Sequence, residues 1–163
     1  MSGRLSYDVA VVAVVLFTFA IVLVIGTFTY NQVADSMINS SQINSSNVTV
    51  TVLQHHKTTI DRMDYVFFIV FIALMLTIII TSFFIPANSI FAFIYFVSLV
   101  VIVVVSTILR YTFEKITENG YFNAIATTNL PITNHLMSNL PIYVTIVGFI
   151  AMVLLYAKPQ QTY

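Results

Sequence analysis

Four long apolar segments, each free of Lys, Arg, Asp, Glu and His, dominate this chain. They cover residues 9–30, 65–85, 90–109 and 142–157. An uncharged apolar segment of about 18 or more residues is long enough to cross about 30 Å of hydrocarbon as a helix. The fourth segment is shorter, and a thin bilayer or packing inside a complex accommodates such a span. The pattern predicts an all-α membrane protein, with four transmembrane helices forming a single domain over residues 1–163.

The first segment also has features of a signal peptide, because Arg4 precedes a long apolar stretch. A signal peptide has an apolar core of about 7–15 residues followed by a cleavage site between small residues. Residues 9–30 are longer than that core, and no clear cleavage site precedes the polar stretch that follows. We therefore expect a first span that is retained.

Two longer loops, residues 31–64 and 110–141, separate the spans, and each carries a pattern of its own. In the first loop, Val alternates with Thr over residues 47–53, which predicts a short β-strand that pairs with a partner elsewhere. In the second loop, the helix of the third span is predicted to continue as far as Asn119-Gly120, a natural C-terminal stop. A short amphipathic piece at residues 132–140 follows, on the membrane surface or dipping into protein.

The connection between the second and third spans is very short. Pro86 disfavours helical conformation at the residue before it, so the second span ends there. The sequence Pro-Ala-Asn-Ser at 86–89 predicts a tight turn. Such a turn makes the second and third spans antiparallel neighbours.

Two signals conflict over the orientation of the chain. Four spans place both termini on one side of the membrane and both long loops on the other. The positive-inside rule puts the loops inside, because they contain Lys57, Arg62, Arg110 and Lys115. Asn-x-Ser/Thr glycosylation sequons put the first loop outside, and they occur at Asn39, Asn44 and Asn47. We give slightly more weight to the sequons. We therefore expect an integral, multi-pass protein with its termini on the inner side and its long loops outside.

Composition narrows the possible classes of protein. Charged residues make up 7% of the chain and hydrophobic residues 59%, whereas a soluble domain carries about 25% charged residues. Lipid must therefore solvate most of the surface. The six basic and six acidic residues leave no basic footprint, which argues against nucleic-acid binding. Without cysteine, the chain has no disulfide, thiolate metal site or Cys nucleophile.

The histidines are the best candidates for a metal site. His55 and His56 are adjacent in the first loop, and His135 lies in the second loop on the same side of the membrane. Imidazoles are common ligands of transition metals. Adjacent residues of a strand point in opposite directions, however, so these two histidines are poorly placed to share one metal ion. We expect solvated loop histidines and no metal site.

The carboxylates near the membrane surface are the next candidates. Paired carboxylates can perform acid–base chemistry, but no second catalytic group accompanies Asp61, Asp64, Glu114 and Glu118. Helix capping and solvation explain them better. Arg110 and Asp64 flank the third and second spans at the same level, so we expect an interfacial ion pair between them.

Hydroxyl groups are the polar groups within the second and third spans. They belong to Thr77, Thr81, Ser82, Ser98, Ser106 and Thr107. A catalytic serine would need a base, and no span contains His or Lys. Haem ligation would need paired His or Met, and Met75 and Met152 are isolated. We expect these hydroxyls to serve helix packing, because such groups bond to the preceding turn of their own helix.

These observations predict a non-catalytic protein with no catalytic, cofactor-binding or metal-binding residues. The predicted function is that of a structural or accessory subunit of a larger membrane assembly, either a multi-subunit complex or the membrane of a lipid-containing virus. Its partners would be the lipid bilayer and other membrane protein subunits, contacted through the long loops. The alternative is a small oligomeric pore, or a holin-like protein that permeabilises membranes, with the hydroxyl-bearing faces lining the pore.

Overall fold

The computed structural model describes residues 2–40, 47–84 and 89–156, and these residues are helical throughout apart from short connections. The α-helices are α1 (Ser2–Ile38), α2 (Asn47–Asp61), α3 (Met63–Phe84), α4 (Ser89–Thr117), α5 (Gly120–Ala124), α6 (Pro131–Ser138) and α7 (Leu140–Tyr156). A π-helical turn, Ile125–Asn129, follows α5 directly, and Leu130 joins it to α6. The predicted turn at residues 86–89 and the Asn44 sequon lie wholly or largely outside the described ranges.

The four predicted spans correspond to α1, α3, α4 and α7, which pack as a bundle. In this bundle α4 lies against both α1 and α7, and α3 lies against the same two helices. The prediction that the second and third spans are neighbours is therefore wrong for the described residues, because α3 and α4 each pack chiefly against α1 and α7 rather than against each other. Among the described residues, three helical stretches are long and apolar enough to cross a membrane. The pair α6–α7, bent by 64°, is a fourth if it counts as one span. The prediction of an all-helical chain with several membrane-length apolar helices is therefore confirmed.

A seven-residue repeat of small side chains forms the buried face of α1. Ala13, Ala20, Thr27 and Ala34 are each at most 2% exposed. Val9, Leu16 and Leu23 are also buried and follow the same interval. A repeat of seven keeps one face of a helix turned toward its neighbours, as in a coiled coil. The small residues allow α3 and α4 to approach α1 closely.

A second close approach joins α4 to α7. The Tyr95 hydroxyl donates a hydrogen bond to the carbonyl oxygen of Gly148, with 3.3 Å between the oxygen atoms. A Cβ atom at Gly148 would collide with the Cδ1 atom of Leu99. A larger residue at this crossing would therefore require the Leu99 side chain to move, and glycine lets α7 lie close to α4 without that change.

The predicted strand at residues 47–53 is wrong, because these residues form the first half of α2. The partly buried positions of this helix are Val50, Leu53, Lys57 and Ile60, which recur every three or four residues. This helical period extends beyond the seven residues over which Val and Thr alternate. Val48 and Val52 are exposed, so the alternation does not mark a buried face. Packing of α2 against α1 outweighs the modest β-preference of Val and Thr.

The predicted extension of the third helix is confirmed. Helix α4 runs to Thr117, two residues before Asn119-Gly120, and Phe113 on the extension is fully buried. The carbonyl oxygen of Asn119 then accepts a hydrogen bond from the backbone N–H of Phe122, which starts α5. The amphipathic piece predicted at residues 132–140 is α6, and it packs into the protein through Leu136 and Met137.

Candidate functional site

The second long loop is folded onto the bundle. We call α5, the π-helical turn and α6 together the cap, residues 120–138. The cap packs against α1, α3 and α4. The ring of Phe28 on α1 meets the ring of Phe122 edge-on, with 5.0 Å between centroids, and Leu130 and Met137 are fully buried. The cap is therefore part of the core at the loop end of the bundle.

Asp64, in the first turn of α3, anchors the cap. Its Oδ2 atom accepts a hydrogen bond of 2.8 Å from the backbone N–H of Ile132. Its Oδ1 atom accepts bonds of 2.7 Å from both the backbone N–H and the hydroxyl of Thr133. These amides are orphan donors at the start of α6, and Pro131 at the first helical position has no N–H to satisfy. The carboxylate of α3 thus caps a helix that begins 67 residues later.

The predicted ion pair between Arg110 and Asp64 is wrong. Arg110 donates instead to Glu114, one turn along α4, with 2.8 Å between Nε and Oε1. Asp64 is only 2% exposed and its hydrogen bonds go to α6. The i,i+4 neighbour on a helix is reached without any tertiary arrangement, whereas Asp64 is held by the amides it caps. Asp64 caps a helix, as predicted, but the prediction of a solvated carboxylate is wrong: Asp64 is buried, and the helix it caps is α6 and not its own.

The acidic pair predicted on α4 lies beside a polar cavity under the cap. The cavity has a volume of about 200 Å³ and is lined chiefly by Glu114, Thr117, Glu118, Asn123, Thr127 and Asn134. Each carboxylate pairs with a basic residue of α4. Glu114 pairs with Arg110, and Glu118 pairs with Lys115, whose Nζ atom lies 2.6 Å from Oε2. The hydrogen bond to Glu118 raises the pKa of Lys115. Both acids are therefore engaged in ion pairs along the helix.

The first long loop forms a two-helix projection. We call residues 31–40, together with α2, the stalk. The hydroxyl of Tyr30, at the base of the stalk, donates to the carbonyl oxygen of Leu53, and Lys57 pairs with Asp35 at 3.2 Å. These contacts tie α2 to α1 beyond the apolar segment 9–30. On the outer side of α1 lies a shallow groove of about 360 Å³, lined by Gln32, Val33, Ser36, Met37 and Ser40.

The three histidines do not come together. His55 and His56 are exposed on α2. His135 is exposed on α6, where its Nε2 atom lies 3.3 Å from the hydroxyl oxygen of Tyr143. Within the described residues, no three His, Cys, Asp or Glu side chains are placed to hold a metal ion.

The hydroxyls of the second and third spans do not share one surface. Ser82 and Ser106 are fully buried in the bundle, whereas Thr77 and Thr107 face outward. All six of the hydroxyls named as candidates donate to a carbonyl in the preceding turn of their own helix. Their donors are thus used within single helices, as Ser and Thr hydroxyls in helices often are.

Comparison with known proteins gives no match. The chain matches no protein-family model, no curated protein and no solved structure.

Proposed function

We propose that this chain is a non-catalytic structural or accessory subunit of a larger membrane assembly, such as a multi-subunit complex or the membrane of a lipid-containing virus. The observation that carries the proposal is the groove on the stalk. Val33 and Met37 are 52% and 38% exposed, and they lie past the end of the apolar segment 9–30. Val33 and Met37 lie one turn apart on α1 and form a small exposed apolar patch, which supports a surface that a partner covers.

The cap supports the same proposal. Asp64 is buried, and all the hydrogen bonds it accepts come from α6. The cap also packs against α1 and α4, so the segment that Asp64 anchors contacts three helices at the loop end. The cap packs against α1, the helix that continues into the stalk, and a preorganised surface has a lower ordering cost when it binds a partner.

A pore is the competing function. A pore-lining surface needs polar groups along one continuous face, and the hydroxyl groups of α3 and α4 are divided between buried and outward-facing positions. This division supports helix packing rather than a lining.

The experiment replaces the apolar lining of the groove. Val33→Glu combined with Met37→Glu should abolish co-purification of a stoichiometric partner from native membranes in mild detergent, because two buried charges without partners prevent docking. Yield and elution volume of the chain itself should not change, since both side chains are exposed in the isolated molecule.

The matched control places the same two charges on the other helix of the stalk. Gln54→Glu with Thr58→Glu keeps the i,i+4 spacing at exposed positions on α2. This variant should retain the partner. Retention of the partner by the groove variant would exclude the groove as the interface. A wild-type chain that purifies without any stoichiometric partner would contradict the proposed function itself.

A further inference from the structure

The described aromatic side chains that are at least 60% exposed lie at two levels of the bundle. At the loop end, Tyr65 on α3, Tyr111 on α4 and Tyr121 on α5 are each at least 60% exposed. We call these three residues the loop-side rim. At the other end, similar exposure is found for Tyr7, Phe84, Phe93 and Tyr156 on α1, α3, α4 and α7, and we call these the terminal-side rim.

Two helices give the separation of the rims independently. Tyr65 and Phe84 are 19 residues apart on α3, and Phe93 and Tyr111 are 18 residues apart on α4. At 1.5 Å per residue these intervals correspond to about 28 Å and 27 Å. Both agree with the thickness of a bilayer's hydrocarbon core, about 30 Å.

The surface between the rims is largely apolar, and the outward-facing hydroxyls of Thr77 and Thr107 bond to their own helices. Large exposed side chains there include Ile69 and Leu76 on α3, Val101 and Val104 on α4, and Val153 on α7. Along α3 and α4, the one charged residue between the rim positions is Arg110, next to the rim residue Tyr111. A long side chain at that position reaches the headgroup region while its stem stays in hydrocarbon.

We propose that a phospholipid bilayer covers this surface, with its hydrocarbon boundaries at the two rims. Tyrosines, which have an apolar ring and a polar hydroxyl, are enriched at such boundaries, and five of the seven rim residues are tyrosines. The placement does not depend on whether the chain is a structural subunit.

These boundaries place the stalk and the cap relative to the hydrocarbon core. Counting about 28 Å along α1 from Tyr7 reaches the level of Gly26. Val33 and Met37 then lie about 10 Å and 16 Å beyond the boundary. The ring of Phe28 contacts that of Tyr121, which puts the rim residue of the cap at the same level as the boundary on α1. Asp64, next to Tyr65, therefore caps α6 at the headgroup level, and the stalk groove lies in water.

Single tryptophans test this placement, because the chain has none of its own. Trp is introduced at rim positions Tyr65, Phe84 and Tyr111, at mid positions Leu76 and Val101, and at Val33 on the stalk. All six side chains are exposed, so substitution should not disturb the core. Each variant is reconstituted in phosphatidylcholine vesicles whose acyl chains carry bromine near the headgroup or near the methyl end.

Bromine near the methyl end should quench Trp fluorescence more strongly at the mid positions, and bromine near the headgroup should quench it more strongly at the rims. The ratio of deep to shallow quenching should therefore be about twofold or more higher at the mid positions than at the rims. Val33→Trp should respond to neither quencher. Equal depth for rim and mid positions would overturn the proposal, as would deep quenching at Val33 or no quenching at any position. Because the chain has no cysteine, single Cys residues at the same six positions, probed with a membrane-impermeant maleimide, give a second readout that does not depend on Trp.

Discussion

Single polar and small residues set the geometry of this bundle more than its many large apolar side chains do. Asp64 fixes the cap by accepting three hydrogen bonds from two residues of α6. Gly148 sets the distance between α4 and α7 at the point where Leu99 lies. Large Val, Ile and Phe side chains fill much of the outward surface, where many exchanges among them leave the packing unchanged.

Replacing Asp64 should release the cap. Asp64→Ala leaves two backbone amides and a hydroxyl without an acceptor in a buried site, which costs about 2–3 kcal/mol of stability. Hydrogen exchange of the amides of Ile132 and Thr133 should become markedly faster. Asp35→Ala is the matched control, because Asp35 is exposed and its pair with Lys57 contributes about 0–1 kcal/mol. Unchanged exchange at Ile132 and Thr133 in Asp64→Ala would show that the cap is held by other contacts.

Adding a methyl group should have opposite effects at two glycines. Gly148→Ala forces Leu99 aside, and overpacking of this kind costs about 1–3 kcal/mol. A Cβ at Gly26 meets nothing within 4 Å, so Gly26→Ala should be neutral or stabilising by up to about 1 kcal/mol, as expected in a helix interior. Thermal unfolding in detergent measures both. Equal loss in the two variants would mean that the close approach of Leu99 to Gly148 is absent in solution.

At the scale of elements, the apolar segments predict the bundle helices well because lipid and core both favour apolar side chains. The stop at Asn119-Gly120 is also a local signal. The alternation at residues 47–53 misleads because Val and Thr fit a helix when α1 supplies a partner face. The anchoring of α6 cannot be predicted locally, since Asp64 and Thr133 are 69 residues apart.

The small-residue face of α1 can be predicted from the sequence only if small residues are compared at an interval of seven. Patterns of small residues four apart are sparse, whereas Ala13, Ala20, Thr27 and Ala34 recur every seven residues. The bundle helices therefore carry a small-residue contact face of their own.

Enlarging this face should separate α1 from its neighbours. Ala20 is fully buried, so Ala20→Leu should cost about 1–3 kcal/mol through overpacking. Val22, two residues along α1, is 59% exposed, and Val22→Leu should leave stability unchanged. Unfolding midpoints of both variants in the same detergent test this difference. A stable Ala20→Leu variant would contradict close packing along the seven-residue repeat.

At the scale of the whole molecule, α1, α3, α4 and the α6–α7 pair give three or four candidate crossings. The number of crossings decides whether the two termini lie on the same side of the membrane or on opposite sides. Four crossings return the C-terminus to the side of the N-terminus and put the stalk and cap together on the opposite side, which is the arrangement we predict.

Reporter fusions test the number of crossings. A reporter at residue 1 and one at the C-terminus should report the same side, and a reporter inserted at residue 45 should report the opposite side. The physical reason is that each crossing reverses the side of the chain, and an even number restores it. Termini on opposite sides would show that the bent α6–α7 pair does not cross.

We expect the chain to be structural and to have no transport activity by itself. The most direct measurement is release of a trapped small dye from pure phospholipid vesicles that contain the purified protein and no partner. Release should be no faster than from protein-free vesicles, because the hydroxyls of α3 and α4 bond within their own helices and do not line a pore. Release that rises with the amount of protein would contradict a structural role and favour the pore.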